Sequence, residues 1–238
     1  MPGRVLVVQH VPHSSLGVYG DVLAERGDDE VWVRRHEGDR LPDGLNGFDA
    51  VISLGSDRSV YATEEAWLEP ELRLLREAVD AGAPVWGICY GAQLLAAALG
   101  GRVFAGPRPE VGVLPLRLSE AAADDPVFGS LPPEVPMFHW HGDSFETPAG
   151  ATLVAGSDAY PNQAFRAGGL AYGVQFHAEA TVELVRGWLA LPATRDQLEA
   201  AEGPGAAERL EAEADRALPA VNDVARTLMR AWRDAAEA

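Results

Sequence analysis

The sequence predicts an α/β protein: a doubly wound, mostly parallel sheet flanked by helices, with a helical C-terminal extension. Three observations lead there. Short, continuous apolar runs at 4–9 (RVLVVQ), 48–54 (FDAVISL) and 84–88 (PVWGI) have the texture of strands buried on both faces. Segments of helical spacing lie between them, which calls for right-handed crossovers. In the Ala/Glu/Arg-rich tail, Val221, Val224, Leu228 and Trp232 share one helix face and so need a surface to dock on.

The elements follow in order. Residues 4–9 form the first strand, and a loop carrying His10, Pro12 and His13 leads into a helix over 16–26 that Gly27 ends. Strands are expected at 30–34 and 48–54, a helix over 68–81 stopped by Gly82, a strand at 84–88 and a small-residue helix over 91–99. Shorter β-like runs follow at 102–104, 113–118, 152–155, 163–166 and 171–176, then a helix over 181–191. Residues 192–205, with Pro192, Gly203, Pro204 and Gly205, read as a linker between a domain at 1–191 and the extension at 206–238. The extension is expected to pack on its own domain, because Val221 and Trp232 need burial and no heptad persists.

With 238 residues and 47% hydrophobic content, the chain is long enough for one well-buried domain. A formal net charge of −17 argues against binding a nucleic-acid backbone. All 19 basic residues are arginine, so neither a Walker-A lysine nor a Schiff-base lysine is available. No apolar run approaches the roughly 18 residues of a membrane span, and the N-terminus lacks a secretory pattern; a cytoplasmic location is expected. The acidic pairs Glu64-Glu65 and Asp124-Asp125 read as solvated faces or helix starts, and His10 and His13 as exposed loop residues.

Cys89 is the only cysteine, which excludes an intrachain disulfide and a cysteine-rich zinc site. It is either core filling or reactive, and its setting favours reactivity. Gly87-Ile88-Cys89-Tyr90-Gly91 places it between a strand and a helix, where only glycines allow the close approach of a sharp turn. The helix N-terminus there stabilises a thiolate, and the Tyr90 N–H can face a developing oxyanion. A thiol nucleophile also needs a base and a group to orient it. His177 and Glu179, two residues apart at the end of a strand, can point the same way and hydrogen-bond. His139 and His141 alternate as metal ligands do. No cysteine partner and no His-Glu-x-x-His pattern accompanies them, so no metal is expected.

The segment Gly87-Ile88-Cys89-Tyr90-Gly91-Ala92-Gln93 resembles the nucleophile motif of class I, triad-type glutamine amidotransferases, and Gln175-Phe176-His177-Ala178-Glu179 resembles their Q-F-H-P-E motif. Residues 138–145 (FHWHGDSF) and 161–166 (PNQAFR) resemble segments of the subgroup similar to the amidotransferase domain of GMP synthase. The resemblance covers about residues 4–190. It implies a Cys89–His177–Glu179 triad that hydrolyses the side-chain amide of glutamine through a γ-glutamyl thioester. It also implies an oxyanion hole from the N–H groups of Gly55 and Tyr90. Gln93, Trp140, His141, Gly142 and Asp143 would bind substrate, with no cofactor. Gly55-Ser56-Asp57 stands where relatives usually read Gly-Gly-Pro, and Ala178 stands where they have proline.

The chain is too short to include a synthetase domain, so the expected ammonia acceptor is a separate synthetase. Two alternatives stay open. One is a free-standing hydrolase of γ-glutamyl metabolites; the other is a silent binding module, which the altered loop at Ser56 keeps open.

Overall fold

The computed structural model describes residues 2–61 and 68–237; the Glu64-Glu65 pair and Trp67 lie outside the described residues. Nine strands form one mixed sheet: β1 (Arg4–Gln9), β2 (Asp29–Arg34), β3 (Ala50–Ser53), β4 (Val85–Ile88), β5 (Val103–Leu118), β6 (Glu134–Phe145), β7 (Thr152–Gly156), β8 (Ala164–Ala167) and β9 (Ala171–Val174). Their order is β2-β1-β3-β4-β9-β8-β7-β5-β6. The first five in that order are mutually parallel and the rest run antiparallel.

Helices cover both faces, as a doubly wound sheet requires. α1 (Val18–Arg26), α4 (Val182–Leu189) and α6 (Ala206–Ala235) contribute to one apolar core; α2 (Leu68–Asp80) and α3 (Tyr90–Ala98) contribute to the other. The β1, β3 and β4 side chains are buried almost throughout, which explains why they read as continuous apolar runs. No helix among the described residues is long and apolar enough to cross a membrane.

The runs expected separately at 102–104 and 113–118 merge into the single strand β5, which begins at Val103. Pro107 and Pro109 interrupt its pattern, and the ladder shifts register between Ala105 and Glu110. The segment expected to be a linker is largely helical: α5 spans Pro192–Glu202. Pro192 occupies its first turn, where proline's missing N–H costs nothing, and Gly203 closes it with a φ of 84°. The punctuation was real, but it marks the two ends of a helix.

α6 docks on its own domain as the sequence expects. Trp232 is fully buried, packs at a tilt against Trp86 with ring centroids 5.6 Å apart and donates from Nε1 to the Leu170 carbonyl at 3.0 Å. Beside it, buried Arg233 donates to Asp28 at 3.0 Å, and Asp28 also accepts the Gly3 N–H at 2.7 Å. Trp232→Ala would leave a cavity between α6 and the sheet, costing roughly 3–5 kcal/mol. A fall in Tm of about 10 °C is expected for a chain of this size.

Candidate active site

Three neighbouring parallel strands converge on one place. Gly55 follows β3, Cys89 follows β4 and His177 follows β9, all at carboxyl ends, where open α/β sheets bind ligands. Cys89 has φ 50° and ψ −103° and is the only non-glycine among the described residues with positive φ. Such strain persists only where the surroundings hold it. Here a Cβ on Gly91 would meet the Ser53 carbonyl oxygen at 2.0 Å, and one on Gly87 would meet the Gly91 oxygen at 2.6 Å. The two glycines therefore let β4 turn sharply into α3, with Cys89 at the corner and 6% exposed.

A Cβ built on Gly55 would lie 3.1 Å from His177 Cε1 and 3.6 Å from Cys89 Cβ, so the loop after β3 borders both side chains. His177 Nδ1 is 2.6 Å from Glu179 Oε1, and both residues are buried. Burial alone would discharge the imidazole, but Glu179 on one side and Cys89 on the other hold its pKa well above the ordinary value. Tyr90 is the first residue of α3, where the backbone N–H has no partner within the helix. Gln175 donates to Cys89 Sγ at 3.5 Å and accepts from Gln93 Nε2 at 3.1 Å. Gln175 was quoted in the sequence only as part of a motif, yet it links Gln93 to the thiol.

The turn after His177 is braced from afar. Asn222 of α6 donates to the Ala180 carbonyl at 2.8 Å and to that of Ala178 at 3.5 Å. Glu179's own carbonyl accepts from Val18 N at 3.1 Å. These bonds hold the turn that lacks the proline usual at position 178.

A cleft of about 330 Å³ opens at the thiol, lined by Gly55, Cys89, Gln93, Trp140, His141, Gly142, Asp143, His177 and Glu179. Apart from Tyr90, whose buried ring lies beneath, every sequence-expected site residue borders it. The opposite wall, which the sequence did not signal, comes from Trp188 and from Thr194, Gln197, Leu198 and Ala201 of α5. Asp143 accepts hydrogen bonds from Ser59 Oγ at 2.5 Å and Tyr61 OH at 2.8 Å, which ties the loop after β3 to β6. Trp188 packs against His177 at 5.3 Å and against Trp140 at 5.8 Å.

One histidine expectation changes. His10 is buried, not exposed: its Nε2 lies 3.0 and 3.1 Å from the two oxygens of buried Glu71, which also accepts from Ser53 Oγ at 2.9 Å. Its ring sits 5.0 Å from that of Tyr90. His139 and His141 lie close to a buried carboxylate that the sequence did not reveal. Glu110 lies across the ladder from His141, and ligating atoms of all three residues fall within 4.8 Å of one another. Burial pushes His139 down to about 3, against the opposing pull of Glu110. Asp125 is likewise buried rather than solvated, pairing with Arg166 at 2.8 Å and accepting from Tyr172 OH at 2.9 Å.

The comparisons with known proteins bear on the family and the fold. The profile of "Glutamine amidotransferase class-I" matches residues 33–186. The chain is 35% identical over 188 residues to the glutamine amidotransferase-like protein YfeJ of Salmonella typhimurium, covering 77% of this chain and 79% of that one. It is 40% identical over 132 residues to the GMP synthase of Streptomyces avermitilis, covering 55% of this chain but only 24% of that enzyme. Among solved structures, a glutamine amidotransferase from Thermotoga maritima superposes with a TM-score of 0.87 at 29% identity, over the whole of both chains. One from Methylobacillus flagellatus gives 0.89 at 27%, covering 99% of this chain and 96% of that one. The chain belongs to the class I glutamine amidotransferase family.

Proposed function

We propose that the chain hydrolyses the side-chain amide of glutamine at Cys89 and supplies the ammonia to a separate synthetase. The observation that carries this reading is the strained Cys89 turn beside a buried His177–Glu179 pair, at the mouth of a cleft. His177 takes the thiol proton, and the sulfur attacks the glutamine δ-carbonyl. The N–H groups of Tyr90 and Gly55 receive the negative charge on the carbonyl oxygen. His177 returns the proton to the leaving nitrogen, and ammonia departs from a γ-glutamyl thioester. Water, deprotonated by His177, then cleaves the thioester to glutamate and the free thiol.

Glu179 fixes the ring and favours its charged form. Gln93 lies at the end of the hydrogen-bond chain through Gln175. Trp140, His141, Gly142 and Asp143 form the wall that meets the α-amino and carboxylate groups of glutamine. The GMP synthase relatives, described as glutamine-hydrolysing, motivate the synthetase partner.

The test measures glutamate release from glutamine and from γ-glutamyl amides, with and without candidate synthetases. Turnover of glutamine that rises with a synthetase supports the reading. Preference for γ-glutamyl amides makes the chain a free-standing hydrolase, and no turnover of either makes it a silent module.

The His177 pair also sets a pH dependence. Its raised pKa keeps the imidazolium available, as pH rises, to protonate the leaving nitrogen. Glu179→Gln removes the charge that raises it, so the alkaline limb of kcat/KM is expected to move to lower pH. Activity should fall by up to about 10⁴-fold, the loss expected when the carboxylate that orients a catalytic imidazole becomes an amide. Stability follows the same linkage. The pair's contribution is complete below the unfolded histidine pKa and disappears as pH rises through the folded one. The stability gap between wild type and Glu179→Gln should therefore narrow at high pH, as urea titrations across pH would read.

A further inference from the structure

We propose that Glu110, His139 and His141 form a divalent transition-metal site beside the cleft, of the kind that holds Zn²⁺. The site is built on the paired strands β5 and β6. Glu110 is opposite His141 and Gly112 is opposite His139, so the alternation of the strands turns both imidazoles and the carboxylate to one side. The register shift after Ala105 is what brings Glu110 into this position.

The geometry matches a coordination sphere. Two ligands each about 2.1 Å from a tetrahedral ion lie about 3.4 Å apart. His141 Nε2 is 3.1 Å from Glu110 Oε2, and His139 Nδ1 is 3.4 Å from the same oxygen. One ligating atom of each of the three residues lies within 4.8 Å of the other two.

The outer contacts orient the ligands as metal sites require. His141 Nδ1 is 3.0 Å from the Asp143 carbonyl oxygen, which can only accept, so that nitrogen carries the proton. Nε2 then faces the Glu110 carboxylate at 3.1 Å. Ser157 Oγ donates to the other Glu110 oxygen at 2.8 Å and fixes its rotation.

His139 is the second, independent observation. It is 0% exposed, and neither ring nitrogen has a hydrogen-bond partner. A buried imidazole without a hydrogen bond is costly. A cation placed between them would satisfy all three residues together. Gln163 completes the set. Its Nε2 lies 2.5 Å from Glu110 Oε2 and 3.3 Å from His141 Nε2, while its Oε1 is buried without a partner. Turning the amide over presents that oxygen as a fourth ligand. Two imidazole nitrogens with one or two oxygens suit Zn²⁺, Fe²⁺ or Co²⁺ better than Mg²⁺ or Ca²⁺.

The site shares His141 with the cleft wall proposed to meet glutamine, so ion binding is measured directly, apart from glutamine turnover. An untagged Cys89→Ala chain removes the competing thiol. Stripped with chelator, it is titrated with Zn²⁺ by calorimetry and with Co²⁺ by visible absorption. The expected result is one ion per chain, Co²⁺ d–d bands of a four- or five-coordinate site, and a Tm that rises with Zn²⁺. Glu110→Gln and His139→Asn, each shown to be folded by its apo melting curve, should weaken binding at least about tenfold. Without any further substitution, Zn²⁺ should shift the imidazole ¹⁵N resonances of His139 and His141. No uptake by the stripped chain, or uptake with these resonances unmoved and both variants unaffected, would overturn the site.

Discussion

Cys89→Ala is expected to lower glutamine hydrolysis by at least about 10³-fold while leaving the fold and the cleft in place. The size of the effect follows from the proposed chemistry, because without the sulfur no thioester forms and the amide must be attacked by water directly. The fold survives because alanine takes up less space and keeps the Cβ. The backbone at residue 89 is held by the Cys89 N–H bond to the Val174 carbonyl at 2.8 Å and by the packing of Gly87 and Gly91. Glutamate release by the purified variant, beside its melting curve, checks both halves. A variant with the fold intact and turnover unchanged would remove Cys89 from the reaction.

Gly91→Ala should have the largest effect on folding for the smallest chemical change. The added carbon would lie 2.0 Å from the Ser53 carbonyl oxygen, 2.6 Å from the carbonyl carbon and 2.9 Å from Oγ. Backbone on both sides leaves nothing flexible to move: Ser53 ends β3, and Gly91 sits in the first turn of α3. Overpacking in a yielding core costs about 1–3 kcal/mol, and this contact should exceed that range. The expectation is a chain that is insoluble or melts far below wild type. Gly187→Ala serves as the control, since nothing lies within 4 Å of its added carbon.

What could be read from the sequence follows the range of the interactions involved. The Cys89 turn was legible because its requirement is local: glycines two residues either side of the thiol, between a strand and a helix. His177 and Glu179 were legible for the same reason, being neighbours whose hydrogen bond spans two residues. His10 was misread because its partner Glu71 lies 61 residues away on α2, and no local pattern announces a buried pair. Glu110 was missed because Pro107 and Pro109 hide the strand that sets it against His141. The wall of the cleft from α5 was missed because Pro192 and Gly203 punctuate a helix and a linker alike. The support that Asn222 gives the turn at Ala178 joins residues over 40 positions apart, and it exists only once α6 has docked.

The central claim is that Cys89 is the atom that reacts with glutamine. Its most direct test is labelling with a diazo-ketone analogue of glutamine, followed by mass measurement of the intact chain and its peptides. The account predicts a single adduct per chain, located on Cys89, slowed by added glutamine and strongly reduced in His177→Ala. A chain that stays unlabelled, or is labelled elsewhere while Cys89 remains free, would contradict it.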